Sequence, residues 1–169
     1  TKKELNAVHK RGRVRNIAST NGLDRFIWHL SRSTPILYNL SPQELEQYNL
    51  SDLNKPISPT PFIVKIIKED KFGHDLKRPI LGLGIDSDPK SIITRQAVSI
   101  DIDGLVAYGY LLGLSRPIFP AELRGIAIRV SGVEIGNHNF LNAENSLTSR
   151  LRPFLSQIIG EIIVSDGLD

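Results

Sequence analysis

The side chains able to do chemistry are few and scattered. Four histidines, His9, His29, His74 and His138, fall in four different elements, and none has a second histidine at metal-ligand spacing. A zinc site is therefore not expected, and His138, in Gly136-Asn137-His138-Asn139, reads as a loop residue. No Cys is present, which excludes a thiol nucleophile, thiolate metal ligands and disulfides. Asp86-Ser87-Asp88 opens like a calcium loop, but the required glycine and the distal glutamate are missing and Pro89 follows at once. Asp101 and Asp103 could be paired carboxylates for acid–base work, yet their alternation with Val98, Ile100 and Ile102 accounts for them as the wet side of a sheet. Gly82-Leu83-Gly84 lacks the Gly-Lys-Ser/Thr of a phosphate loop. Asn39-Leu40-Ser41 and Asn49-Leu50-Ser51 match glycosylation acceptors, but the role of Ser41 as a helix cap already explains the first.

The arginines remain. Arg116, Arg124 and Arg129 surround Arg116 to Leu123, a crossing segment, and the strand after it. The planar fork of an arginine suits a phosphate or an acidic partner. The other reading is ordinary surface pairing with the Asp and Glu residues nearby. No residue reads as catalytic, and no metal ligand set is found.

The elements that must position these groups follow from periodicity. Gly22 to Ser31 is a short helix, with Phe26, Ile27 and Leu30 on one face and Trp28 beside them. Leu37 to Leu53 contains a second helix, where Ser41 caps, Pro42 takes the first position and Glu44 completes a capping box. Pro56, Pro59 and Pro61 hold an extended approach to a strand at Phe62–Lys68, closed by the turn Glu69-Asp70-Lys71. Arg78 to Ile85 is a second, glycine-weakened strand. Ile92 to Ile102 and Leu105 to Leu114 form a hairpin across Asp103-Gly104, the second strand apolar enough to be buried on both faces. In Gly125–Val130, Ile126, Ile128 and Val130 alternate with Ala127 and Arg129; Ser131-Gly132 turns into Val133 and Ile135. Thr148 to Ile159, with Leu151, Phe154, Leu155, Ile158 and Ile159 as an apolar stripe, is a helix that Pro153 delays to near Arg152. Gly160 to Val164 is a final strand. Strands followed by helices on one side give an α+β domain with a mixed or antiparallel sheet.

Charge divides the chain. Within the first sixteen residues Lys2, Lys3, Lys10, Arg11, Arg13 and Arg15 face Glu4 alone, leaving fifteen basic and seventeen acidic residues for the rest. The basicity belongs to a leader, residues 1–20, and the body from 21 to 169 is slightly acidic. Such an arm is either a solvated linker or, through Lys10, Arg11, Arg13 and Arg15, a contact to nucleic-acid phosphates. No apolar run reaches the ~20 residues of a membrane-spanning helix, and a cytoplasmic setting without a membrane partner is expected. The chain starts at Thr1, holds no Met and stops after Ser165-Asp166-Gly167-Leu168-Asp169, which reads as an internal segment cut at its C-terminal end.

From Leu105 onward the order of elements resembles the middle segment of ATP-dependent chaperones of the ninety-kilodalton heat-shock class. The residues carrying it are Leu105–Leu114, Arg116-Pro117-Ile118-Phe119-Pro120, Gly125–Val130, Val133-Glu134-Ile135, Arg152–Ile159 and the landing Gly160 to Asp169. The resemblance implies a transducer-like βαβ arrangement in a protein of the GHKL superfamily (gyrase, heat-shock chaperone, histidine kinase, mismatch-repair ATPase). It implies ATP and magnesium as cofactors of the parent protein and, as partners, an N-terminal ATPase domain of the same chain and a client or a second copy. The arginine that would reach the γ-phosphate lies beyond Asp169, so no residue here takes the catalytic role. The charged insert found before Gly125 in many chaperones is absent, which points to a divergent bacterial ATPase rather than a chaperone proper.

Overall fold

A computed structural model describes residues 17–19, 22–36, 38, 41–47, 51, 62–68, 71–78, 89–140, 145 and 147–167. The basic arm with Lys10, Arg11, Arg13 and Arg15, the end of the second expected helix and most of the 78–85 strand lie outside these residues.

Helix α1 spans Gly22–Ser33 and α2 spans Pro42–Gln47. The first ends where hydroxyls compete for its carbonyls: Ser33 Oγ donates to His29 O at 2.9 Å and Thr34 Oγ1 to Leu30 O at 2.6 Å. Pro35 then prevents continuation. In α2 the Leu45 N–H donates to Ser41 O at 2.9 Å, so Pro42 occupies the first helical position as expected. The face that α1 buries is Trp28, Ser31 and Arg32, while Phe26 stays 62% exposed, so the apolar stripe expected around Phe26 is not the packed one.

Strands β1 (Lys65–Lys68) and β2 (Lys71–Asp75) form a small antiparallel hairpin. Lys71, expected in the closing turn, is instead the first residue of a second strand, and Glu69 and Asp70 lie outside the described residues. Five further strands make the main sheet: β3 (Ile92–Ile102), β4 (Leu105–Leu114), β5 (Gly125–Val130), β6 (Val133–Asn139) and β7 (Ile158–Asp166). Their order is β3-β4-β7-β5-β6, antiparallel throughout except for the parallel β5–β7 pair, so the sheet is mixed. The turns at Asp103-Gly104 and Ser131-Gly132 both carry positive φ at both residues, the twist that tight hairpins demand.

Two expectations are corrected here. Residues 148–159 do not form an α-helix. A 3-10 turn covers Arg152–Gln157, and Ile158 and Ile159 belong to β7, paired with Gly113 of β4 and Gly125 of β5. Spacing of three and four imitates a helix, but Pro153 removes a helical donor and two adjacent strands claim the β-branched isoleucines. Phe154 and Leu151 consequently stay 56% and 47% exposed, and only Leu155 of the stripe's first half is buried. His138 is not in a loop either; it sits inside β6.

One face of the sheet meets the helices. Tyr110, Leu112 and Leu114 of β4 and Ile159 of β7 join Trp28 of α1, Leu45 of α2, Ile17, Tyr38, Ile118 and Leu123 in a single apolar core. The result is an α+β unit built on a five-stranded mixed sheet, with one longer helix and several short elements. No described helix is long and apolar enough to cross a membrane.

Candidate functional site

The helix-facing side of the sheet carries charge at its centre. Register places Tyr110 of β4 and Ala127 of β5 on either side of Glu161 of β7, with Arg129 and Glu134 paired across β5 and β6. A strand alternates its side chains between faces, so Tyr110, Glu161, Arg129 and Glu134 project together. Arg129 is 1% exposed and Glu161 5%. Burying either alone would be prohibitive, so each must find a partner.

They find each other. Arg129 Nε and Nη2 donate to Glu161 Oε2 and Oε1, both at 3.0 Å, in a bidentate pair. Arg129 Nη1 donates to Arg32 O at 2.7 Å and to Gly132 O at 3.5 Å, and Nη2 also reaches Glu134 Oε2 at 3.4 Å. From α1, Arg32 closes a short ion pair with Glu134 and lays its guanidinium 4.5 Å from the centre of the Trp28 ring. Tyr38 donates its hydroxyl to Glu161 Oε2. Arg78 packs over the Tyr38 ring, and its Nη2 donates to Thr34 O at 2.6 Å and Gly132 O at 3.1 Å. The cluster thus ties α1, the segment after it and Arg78, three residues beyond β2, to three strands.

Protonation is fixed by these contacts. Burial would raise the Glu161 carboxyl, but Arg129 and Arg78 overrule it and hold the group at about 2. Burial opposes the charge on Arg129, yet Glu161 raises it above the ordinary arginine value. The Tyr38 and Tyr110 phenols are raised, first by burial and then by the Glu161 charge, so both are neutral. For Glu134, burial outweighs Arg32 and Arg129 and lifts the carboxyl. Burial, with Arg32 adding to it, lowers His138 to about 4. Its Nδ1 lies 2.9 Å from Leu123 O, the position of a donated N–H in a neutral ring. Groups pinned this firmly are suited to holding elements together rather than to shuttling protons near neutral pH.

The arginines expected at a phosphate or partner contact are distributed differently. Arg129 lies in this cluster and is committed to Glu161 and Glu134, so neither a surface role nor ordinary surface pairing describes it. Arg124, half-buried just before β5, donates through Nε to Ile118 O at 3.0 Å and stacks 5.0 Å from the Phe119 ring centre. Arg116 is half-buried after β4, with no hydrogen-bond partner at Nε. Sequence reasoning passed over Tyr38, Arg78, Glu134 and Glu161. One signal was available: Arg129 and Glu161 are lone opposite charges inside two apolar strand runs, Ile126–Val130 and Gly160–Val164. Among the described residues no group of His, Cys, Asp and Glu is gathered as a metal ion would need. Comparison with protein-family models, with curated proteins and with solved structures finds no match for this chain, which leaves its own residues as the ground for a functional reading.

Proposed function

We propose that this chain is the non-catalytic middle domain of a multidomain GHKL-type ATPase, carrying ATP binding in an N-terminal domain into movement elsewhere. The observation that supports this reading best is the buried clamp, in which Arg129 and Glu161 of the sheet are joined to Arg32 of α1 and to Tyr38. A relay has to move as one body. Pulling α1 from the sheet would leave buried charges without partners, at a cost of about 3–5 kcal/mol for each pair broken. We read β5, β6, the 3-10 turn at Arg152–Gln157 and the parallel β7 as the transducer-like part, with the 3-10 turn where a βαβ arrangement has its helix. These elements fall in the stretch from Leu105 whose order resembles the chaperone middle segment.

Turnover assays on two chain lengths test this. Residues 1–169 alone hydrolyse no ATP above background, whereas the longer gene product with its N-terminal part hydrolyses ATP with magnesium. In the longer protein, Glu161→Gln lowers turnover and leaves nucleotide affinity near wild type. Turnover by residues 1–169 at the rate of the longer protein, or none by the longer protein, refutes the proposal. Salt-dependent DNA or RNA binding that disappears on deleting residues 1–16 would replace it with a nucleic-acid module led by the basic arm.

A further inference from the structure

The buried cluster is short of acceptors. Among the described residues, three buried arginines, Arg32, Arg78 and Arg129, face two carboxylates, Glu134 and Glu161, which leaves one positive charge in excess. His138 adds nothing, being neutral near pH 7. The carboxylate oxygens are already engaged: Glu161 Oε2 takes Tyr38 and Arg129, Glu161 Oε1 takes Arg129, and the Glu134 oxygens take Arg32 and Arg129.

The donors left over are Arg78 Nε and Nη1, Arg32 Nε, Trp28 Nε1 and the Tyr110 hydroxyl, each buried without a hydrogen-bond partner. Arg78 is 0% exposed, and the nearest carboxylate oxygen to its Nη1 is Glu161 Oε2 at 3.9 Å, too long for a hydrogen bond. Tyr110 lies directly across from Glu161, close enough for the charge on Arg78 to act on its phenol. Buried polar groups without partners are rare in folded proteins, and a donor so placed is suited to a small polar or charged ligand. Water would satisfy the donors yet leave the surplus charge; an anion does both.

We propose that the cluster binds a small monovalent inorganic anion of the halide class, held by the free nitrogens of Arg78 and the hydroxyl of Tyr110. The Glu161 carboxylate repels it, and Arg129 and Arg78, both paired to that carboxylate, offset the repulsion. Donors buried as deeply as Arg78 and Tyr110 limit the ligand to a small ion. The site is independent of the ATPase reading.

The test follows thermal unfolding of the protein by fluorescence of Trp28, its only tryptophan. Sodium bromide replaces sodium gluconate up to about 0.1 M at constant ionic strength, so that screening is equal. The expected result is a midpoint that rises with bromide along a saturable curve, as ligand linkage requires. Tyr110→Phe removes a hydroxyl that no protein group uses, so the variant unfolds as wild type in gluconate. Its apparent bromide constant is weaker by about tenfold, the loss of one hydrogen bond to a charged ligand. Equal midpoints for wild type in bromide and gluconate overturn the site and assign water to it, a comparison that needs no variant. A bromide response unchanged in Tyr110→Phe overturns the placement at Tyr110.

Discussion

Replacing Glu161 by glutamine keeps its shape and removes its charge, leaving Arg129 and Arg78 without their shared counter-ion inside the core. Two routes give the magnitude. The carboxyl sits at about 2 against 4.5 for an unperturbed glutamate, which at about 1.4 kcal/mol per pH unit amounts to ~3 kcal/mol. Breaking a buried ion pair from one side costs about 3–5 kcal/mol, and the two figures overlap. In a domain of this size the melting temperature should fall by roughly 6–20 °C at pH 7. Because the folded-state value is depressed, the stabilisation is full above pH about 4.5 and is lost as pH falls toward about 2. The gap between wild type and Glu161→Gln should therefore narrow below pH 4.5 and close near pH 2, as read by urea titrations at each pH. Replacing both Arg129 and Glu161 by methionine should recover only part of the loss, since it removes the stranded Arg129 but still leaves Arg78 without its carboxylate. A variant within ~1 kcal/mol of wild type at pH 7, or a gap that ignores pH, would refute the clamp.

Two further outcomes follow from single residues. His138 takes up a proton at about 4 in the folded state and near 6.5 when unperturbed, so the unfolded chain binds more protons between those values and stability falls by ~3 kcal/mol as pH drops through them. His138→Asn, which can keep a donor on Leu123 O, should flatten that part of the stability–pH curve. Gly109 of β4 has no room for a side chain, because an added Cβ would lie 2.0 Å from the Glu161 backbone oxygen. Gly109→Ala should cost at least ~3 kcal/mol by forcing β4 from β7, read as loss of soluble, cooperatively unfolding protein.

Local physics accounts for what was legible. Asp103-Gly104 and Ser131-Gly132 announce their hairpins because so few residues accept positive φ in succession. Pro42 after Ser41 starts a helix by the same kind of local rule. Alternation located β3 and β5 and a nearly continuous apolar run located β4, but alternation says nothing about which face will be covered. In β5 Ala127 and Arg129 are the buried ones, and Ile126, Ile128 and Val130 are half-covered on the other face. Residues 148–159 failed for a related reason: their spacing suits a helix, and only the pairing of Ile158 and Ile159 with two distant strands decides otherwise.

What the sequence determines by itself is set within a few residues: the turns, the ends of α1, the strand runs, and the division into a basic leader and a near-neutral body. Tertiary structure decides the site. Arg32 and Glu134 are 102 residues apart, and Tyr38 and Glu161 are 123 apart. Nothing short-range in a sequence encodes such a meeting. The face on which α1 settles turns two isolated charges in apolar strands from surface decoration into a clamp, because a charge can stay buried only where its counter-charge is brought to meet it.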